Sequence, residues 1–246
     1  DMIDFYKKYY TSDNMTICII SNLMIKKQLE LLKIFENIPN KKSTKYNIIK
    51  PFFCKEKYNY TIIPLKNTND FVMIFETEFK KDMFKNKYFD FIKFLLINNV
   101  NNTTMNTLIK NNIINNMSIE LFDEGIFLIY FNCSNPINNN TIIRILTTFY
   151  SHLNYIKNLN KKEITKIYNQ YSMILDNIFN YNNNINNIDL INTISTNLHN
   201  YDMEYFYCAN MIILDKFNYN DFIKSINILY KPNFITTKKN NNKDYL

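Results

Sequence analysis

Two histidines, His152 in YSHLN and His199 in NLHNY, are the residues best suited to proton transfer or metal binding near neutral pH. A zinc site on one helix needs His-x-x-Glu-His: two ligands one turn apart and a glutamate that polarises water. Neither histidine begins that pattern, so no metal ligand and no catalytic residue is assigned. Both read as ordinary helix-surface or half-buried histidines. Asp123-Glu124 and the pair Glu76/Glu78 offer carboxylates of the kind used in acid-base work. With no histidine, metal motif or nucleophile beside them, they read as a solvated hairpin turn and a strand end. No phosphate-binding glycine loop, no G-x-S-x-G and no supported Cys/His pairing is present. Cys18, Cys54, Cys133 and Cys208 are widely spaced without a C-x-x-C, which argues against a zinc ribbon or redox motif. They read as free buried thiols, which favours a reducing intracellular compartment.

Composition bounds the rest. The chain has 246 residues, 46% of them hydrophobic and 16% aromatic, ample for a globular core in one domain or two small ones. It contains one glycine, against a usual share of about 7%. Its richness in Asn, Lys, Ile and Tyr points to a low-GC coding bias. The net charge of +7 is almost all lysine, with Arg144 the single arginine. Nucleic-acid readers rely on arginine for bidentate contacts, and no recognition helix or basic aromatic stripe is visible. The expectation is no nucleic-acid partner and a mild attraction for acidic peptides. No run of 18 apolar residues is present, so no membrane partner is expected. No signal peptide opens the chain, and a start at Asp1 in mid-pattern predicts a fragment.

The hydrophobic periods predict the elements. A short helix over 2–10 has an aromatic face, and 15–20, MTICII, is apolar and β-branched like a buried strand. A helix follows over 25–35, with Pro39 ending it. A boundary falls in the Lys-rich 41–56. Next come a strand over 58–66, a turn at 67–70 and a strand over 71–76, read as a hairpin. Helical spacing follows at Phe89, Ile92, Leu95 and Leu96, then at Met105, Leu108 and Ile109. Strands over 113–122 and 126–133 join at Asp123-Glu124-Gly125, where the lone glycine suits a positive φ. Helices follow from a cap at Asn140-Thr141 to about 156, then over 162–179, 190–199, 204–213 and 219–230. A strand over 233–237 and a linker over 238–244 close the chain. The fold class is α+β, a mostly antiparallel sheet covered by helices on one face.

The order of these signals resembles the insulinase/pitrilysin family of zinc metallopeptidases. Residues 5–40, FYKKYYTSDNMTICIISNLMIKKQLELLKIFENIPN, look like the last strand and helix of its catalytic repeat. YTIIPLKNTND at 60–70 looks like the opening of the next repeat, LHNYDMEYFY at 198–207 like its late turn, and INILYKPNF at 226–234 like its final helix and closing strand. The resemblance implies residues 1–45 as the end of a catalytic repeat, 46–237 as a non-catalytic repeat and 238–246 as a linker. It also implies peptide substrates, other domains of a parent chain as partners, and zinc in an upstream domain but none in this stretch.

The family's second repeat encloses the peptide. A glycine-bearing loop and the strand after it hold the substrate backbone, with a pattern close to H-E-G-x-G-S-L. The corresponding residues here are 98–104, NNVNNTT, without the glycines. By resemblance the substrate-binding candidates are Asn98, Asn99, Asn101, Asn102, Thr103, Ile113, Ile114 and Asn115. The residues themselves also fit a plain loop between helices and a routine strand. An exposed edge on 113–120 adds a second route, capture of a peptide as an extra strand. Two functions stay open: a non-catalytic wall of a zinc metalloendopeptidase, or a catalytically inactive relative that acts as a scaffold or assembly subunit. The sequence just before Asp1 separates them. An unrelated helical module would lack strands over 58–76.

Overall fold

A computed structural model describes residues 1–42, 59–65, 68–77, 83–122, 125–181 and 186–237. Helices α1 (Met2–Tyr9) and α2 (Ile25–Leu32) open the chain. Strands β1 (Asn59–Ile62) and β2 (Asp70–Glu76) lead to helices α3 (Met83–Asn86), α4 (Tyr88–Ile97) and α5 (Thr104–Lys110). Then come β3 (Ile114–Phe122), β4 (Ile126–Cys133) and helices α6 (Asn139–Asn158), α7 (Lys161–Tyr181) and α8 (Asn187–Asn200). Helix α9 (Tyr219–Ile228) and strand β5 (Asn233–Thr237) finish the described chain. The chain forms two compact units: 1–50 with 176–212, and 51–175 with 213–246.

The larger unit is built on a sheet of order β1-β5-β2-β4-β3, antiparallel except for the β1–β5 pair. Alternation explains its sidedness, because successive side chains on a strand point to opposite faces. Phe71, Met73 and Phe75 of β2, Phe127, Ile129 and Phe131 of β4, and Met117 and Ile119 of β3 are buried on one face. They form one core with Phe89, Ile92 and Leu96 of α4, Phe149 and Leu153 of α6, and Phe222 and Ile226 of α9. Edge-on and tilted rings fill it, such as Phe75 against Phe127 at 6.2 Å between centroids. The other face carries Asn116, Ser118 and Glu120 of β3 and Tyr130 and Asn132 of β4, all exposed.

The lone glycine closes the β3–β4 hairpin with φ 87°, accepting from the Thr77 N–H at 2.7 Å and donating to the Phe122 carbonyl at 3.0 Å. The neighbouring Asp123 and Glu124, like Glu78, lie outside the described residues. The hairpin expected from the strands now called β1 and β2 does not form, because β5 lies between them. Thr61 and Thr236 hydroxyls meet at 3.3 Å across the parallel pair. Pro64, which has no N–H, cuts β1 short after Ile62. The connection to β2 then exceeds hairpin loops of roughly two to five residues.

The smaller unit departs further from expectation. Residues 15–20 join no ladder among the described residues, and Met15, Ile17, Ile19 and Ile20 are each at least 40% exposed. An apolar run satisfies the pattern of a strand, but a strand also needs a hydrogen-bonding neighbour. The helix expected over 25–35 is α-helical only to Leu32 and tightens to a 3-10 turn over Lys33–Asn37. The helix expected over 204–213 is instead a 3-10 turn, Met203–Tyr205, and a chain of tight turns. Asn197 explains this. Its side-chain N–H donates to the Phe206 carbonyl at 2.8 Å, where a helix would use a backbone N–H, and its oxygen accepts from Asn210 at 2.6 Å.

Candidate peptide-binding site

Helix α4 stops because Asn98 leaves the helical region, with φ −60° and ψ 142°, while its N–H still bonds the Phe94 carbonyl at 3.0 Å. Helix α5 starts at its N-cap Thr103, whose hydroxyl accepts from the Asn106 N–H at 3.3 Å and donates to the Asn98 carbonyl at 2.8 Å. One threonine thus clamps both ends of the loop 98–103. Asn106 Nδ2 also donates to the Val100 carbonyl at 3.2 Å, and Lys110 Nζ to Asn101 Oδ1 at 2.7 Å. Asn99, Asn101 and Asn102 are exposed, whereas Thr103 is buried.

Asn102 has φ 70°, the left-handed region that glycine enters without strain. Asparagine, enriched there, keeps the backbone shape and adds a side chain. Replacing Asn102 by Val is expected to cost about 1–2 kcal/mol, the strain of a left-handed β-branched residue. Replacement by Gly leaves stability within about 1 kcal/mol. Urea unfolding of both variants checks this; equal losses would deny that the loop needs this backbone.

After α5 the chain turns through Asn112, φ 52°, and enters the sheet. Ile113 and Ile114 are buried, so their side chains serve the core. Asn115 is exposed at an irregularity in the β3–β4 register between Ile114 and Asn116. It donates to Asn132 Oδ1 at 3.1 Å and accepts from Ser134 at 3.0 Å, and Asn132 donates to Asp70 Oδ1 at 2.9 Å. This row of amides crosses three strands and ends at β3, the edge of the sheet among the described residues. Sequence reading overlooked Asn132, Asp70 and Ser134. Counting back from the Gly125 turn would have set Asn132 opposite Asn116.

It also overlooked what His152 does. Its Nδ1 accepts from the buried Thr104 N–H at 3.1 Å and lies 2.8 Å from the Thr104 hydroxyl. Burial pushes the imidazole below its ordinary value. His199 is exposed on α8, in the smaller unit. Cys18, Cys133 and Cys208 are free, and burial, with a smaller effect of Asp70, pushes the Cys133 thiol up to about 11. Among the described residues no three His, Cys, Asp or Glu side chains converge to hold a metal ion. No helix among them is long and apolar enough to cross a membrane. What the arrangement offers is a shaped loop, a backbone edge and a row of amides.

Comparison with known proteins agrees with the fold. Pitrilysin superposes with TM-score 0.79 at 17% identity, over 96% of this chain and 26% of that one. The first half of the periplasmic protease PqqL from Escherichia coli gives 0.66 at 12%, over 97% and 54%. A peptidase M16 inactive domain from Pseudomonas fluorescens gives 0.57 at 11%, over 88% and 52%. The chain therefore spans about a quarter to a half of these relatives. No curated protein matches it. The family model for the peptidase M16 inactive domain matches residues 1–171, from α1 through the sheet and into α7. Matched by that model over more than half of its length and sharing the α+β fold of these structures, the chain belongs to the peptidase M16 inactive-domain family.

Proposed function

We propose that this chain is the non-catalytic wall of an insulinase-like zinc metalloendopeptidase, and that it anchors peptide substrates along β3 and the loop 98–103. The observation that carries this is the sheet order, which leaves β3 as an edge among the described residues, with exposed side chains on the face away from the core. An edge strand offers backbone N–H and C=O groups that an extended peptide can pair with, largely regardless of its sequence. In this reading zinc belongs to another part of the parent chain, and the other domains close the chamber.

Fluorescent peptides with chelator present test the anchoring without chemistry. Longer peptides bind more tightly than short ones, and acidic ones more tightly at low salt, because the chain is net positive. Proline placed at successive positions from Asn116 to Glu120 removes one edge donor at a time. At positions whose N–H faces outward, affinity falls about tenfold, the worth of one hydrogen bond. Binding unaffected by every proline would remove β3 from the site. In a zinc-bearing parent, replacing Asn101 and Asn102 by Gly changes KM or cleavage position and leaves zinc content intact. Unchanged kinetics for all peptide lengths would make the loop structural only.

One observation favours the second reading, an inactive scaffold subunit. The loop has asparagines where the resembling pattern has glycines, and Lys110 ties one of them down. The residues preceding Asp1 discriminate: His-x-x-Glu-His there supports the peptidase.

A further inference from the structure

We propose that His152 is a positioning residue that holds the loop 98–103 through Thr104, and that its protonation releases the loop. The functional consequence rests on the anchoring role proposed for that loop; the latch itself does not. His152 sits on α6, Thr104 on the first turn of α5, and 48 positions separate them, so the bond ties the loop to another element. Thr104 is fully buried and follows the clamp residue Thr103.

The roles of the atoms are fixed by chemistry. A backbone N–H can only donate, so Nδ1 must carry a lone pair and the proton must be on Nε2. The Thr104 hydroxyl can reverse its role if Nδ1 gains a proton. The Thr104 N–H cannot, and it would then face an N–H in a buried site.

The surrounding charges leave this arrangement alone. Lys110 on α5 is engaged by Asn101, and α9 carries Tyr219, Asp221 and Lys224, the last two paired with each other. On α6 itself stand Arg144, Tyr150, Tyr155 and Lys157, with the Tyr155 ring 6.3 Å from the imidazole. The sheet carboxylates Asp70, Glu76 and Glu120 alternate with its buried residues and belong to the other face. Burial alone lowers the affinity of His152 for a proton.

The sign follows from linkage. A released His152 takes up a proton near its ordinary value of 6.5, and the latched one only at lower pH. The latch is thus fully effective above about pH 6.5 and weakens as pH falls through that value toward the folded one.

Amide exchange of residues 98–106 in the whole chain, corrected for intrinsic rates, reads the latch directly. Between about pH 7.5 and about pH 5.5 their protection is expected to fall by up to about tenfold, the upper bound that linkage sets for one unit below 6.5. In His152→Gln, whose amide oxygen can accept but not titrate, protection is expected to be equal at both pH values. His199→Gln is expected to behave as the unmodified chain. Protection independent of pH in the unmodified chain, or a pH dependence that persists in His152→Gln, would overturn the latch. Should His152→Gln fold poorly, nuclear magnetic resonance of the unmodified chain decides. The His152 ring and the Thr104 amide are expected to titrate with one midpoint below 6.5, and separate midpoints would reject the coupling. Peptide titration at both pH values separates the two ideas. A pH-dependent loop with no peptide binding leaves the latch standing and removes the anchoring role. Peptide binding with a pH-independent loop does the reverse.

Discussion

Replacing Phe131 by Ala lowers the unfolding free energy of the chain by about 3–5 kcal/mol, the cost of a cavity in a rigid core. Phe131 is fully buried on β4, the strand that pairs with both β2 and β3, and its ring lies 5.9 Å from that of Phe71. Phe71 in turn stacks on Phe234 of β5 at 5.8 Å. The truncation therefore removes contacts that run from one strand to the next across most of the sheet. The neighbouring Tyr130 points to the open face and is 37% exposed, so its replacement by Ala is expected to cost far less. Urea unfolding followed by circular dichroism measures both. Equal losses at Phe131 and Tyr130 would contradict the sidedness of the sheet.

That sidedness was legible in the sequence because Tyr130 and Asn132 put polar groups at alternate positions of β4 and a single glycine fixes where it turns. IFLIYFNC leaves one consistent assignment of inward and outward residues, and the structure follows it. The partner of β1 was not legible. A hairpin is the economical reading of two apolar runs close in sequence, while a parallel pairing with β5 spans 175 positions at Thr61 and Thr236. The start of α6 was misplaced for a different reason. The run 138–140 is three asparagines, each a good cap, and only the backbone selects Asn138, whose oxygen accepts from the Thr141 N–H at 2.9 Å.

The candidate site shows the same division. The loop 98–103 was singled out by resemblance alone, and its left-handed Asn102 was foreseeable from the glycine it stands in for. Ile113 and Ile114 were included by continuity along the strand, and the structure buries both. His152 illustrates a contact without a sequence signature. A histidine on a helix reads as surface or core, and nothing local announces a bond to a backbone N–H on a distant helix. The exposed apolar residues of the smaller unit show the converse, a clear local pattern that joins no ladder among the described residues.

The chain by itself is expected to bind no stoichiometric zinc and to hydrolyse no peptide. Tight zinc binding needs three or four converging ligands, and catalysis needs an open position beside them for water. Both histidines are accounted for: His152 spends Nδ1 on Thr104, and His199 is exposed in the other unit. Cys133, a soft ligand by type, is buried with its thiol held protonated well above neutral pH. Peptide hydrolysis without a metal would need an accessible nucleophile beside a base; the hydroxyl–imidazole pair at the loop, Thr104 with His152, is fully buried at Thr104, and its Nδ1 already accepts from the Thr104 N–H. Atomic emission on the purified chain, with a fluorogenic peptide assay before and after added zinc, tests both statements together. Zinc at one equivalent with chelator-sensitive turnover would assign the chemistry to this chain and remove the wall reading. Peptide binding without turnover is the outcome that reading requires, since an anchoring surface remote from the reacting bond contributes binding energy and leaves the chemical step to another domain.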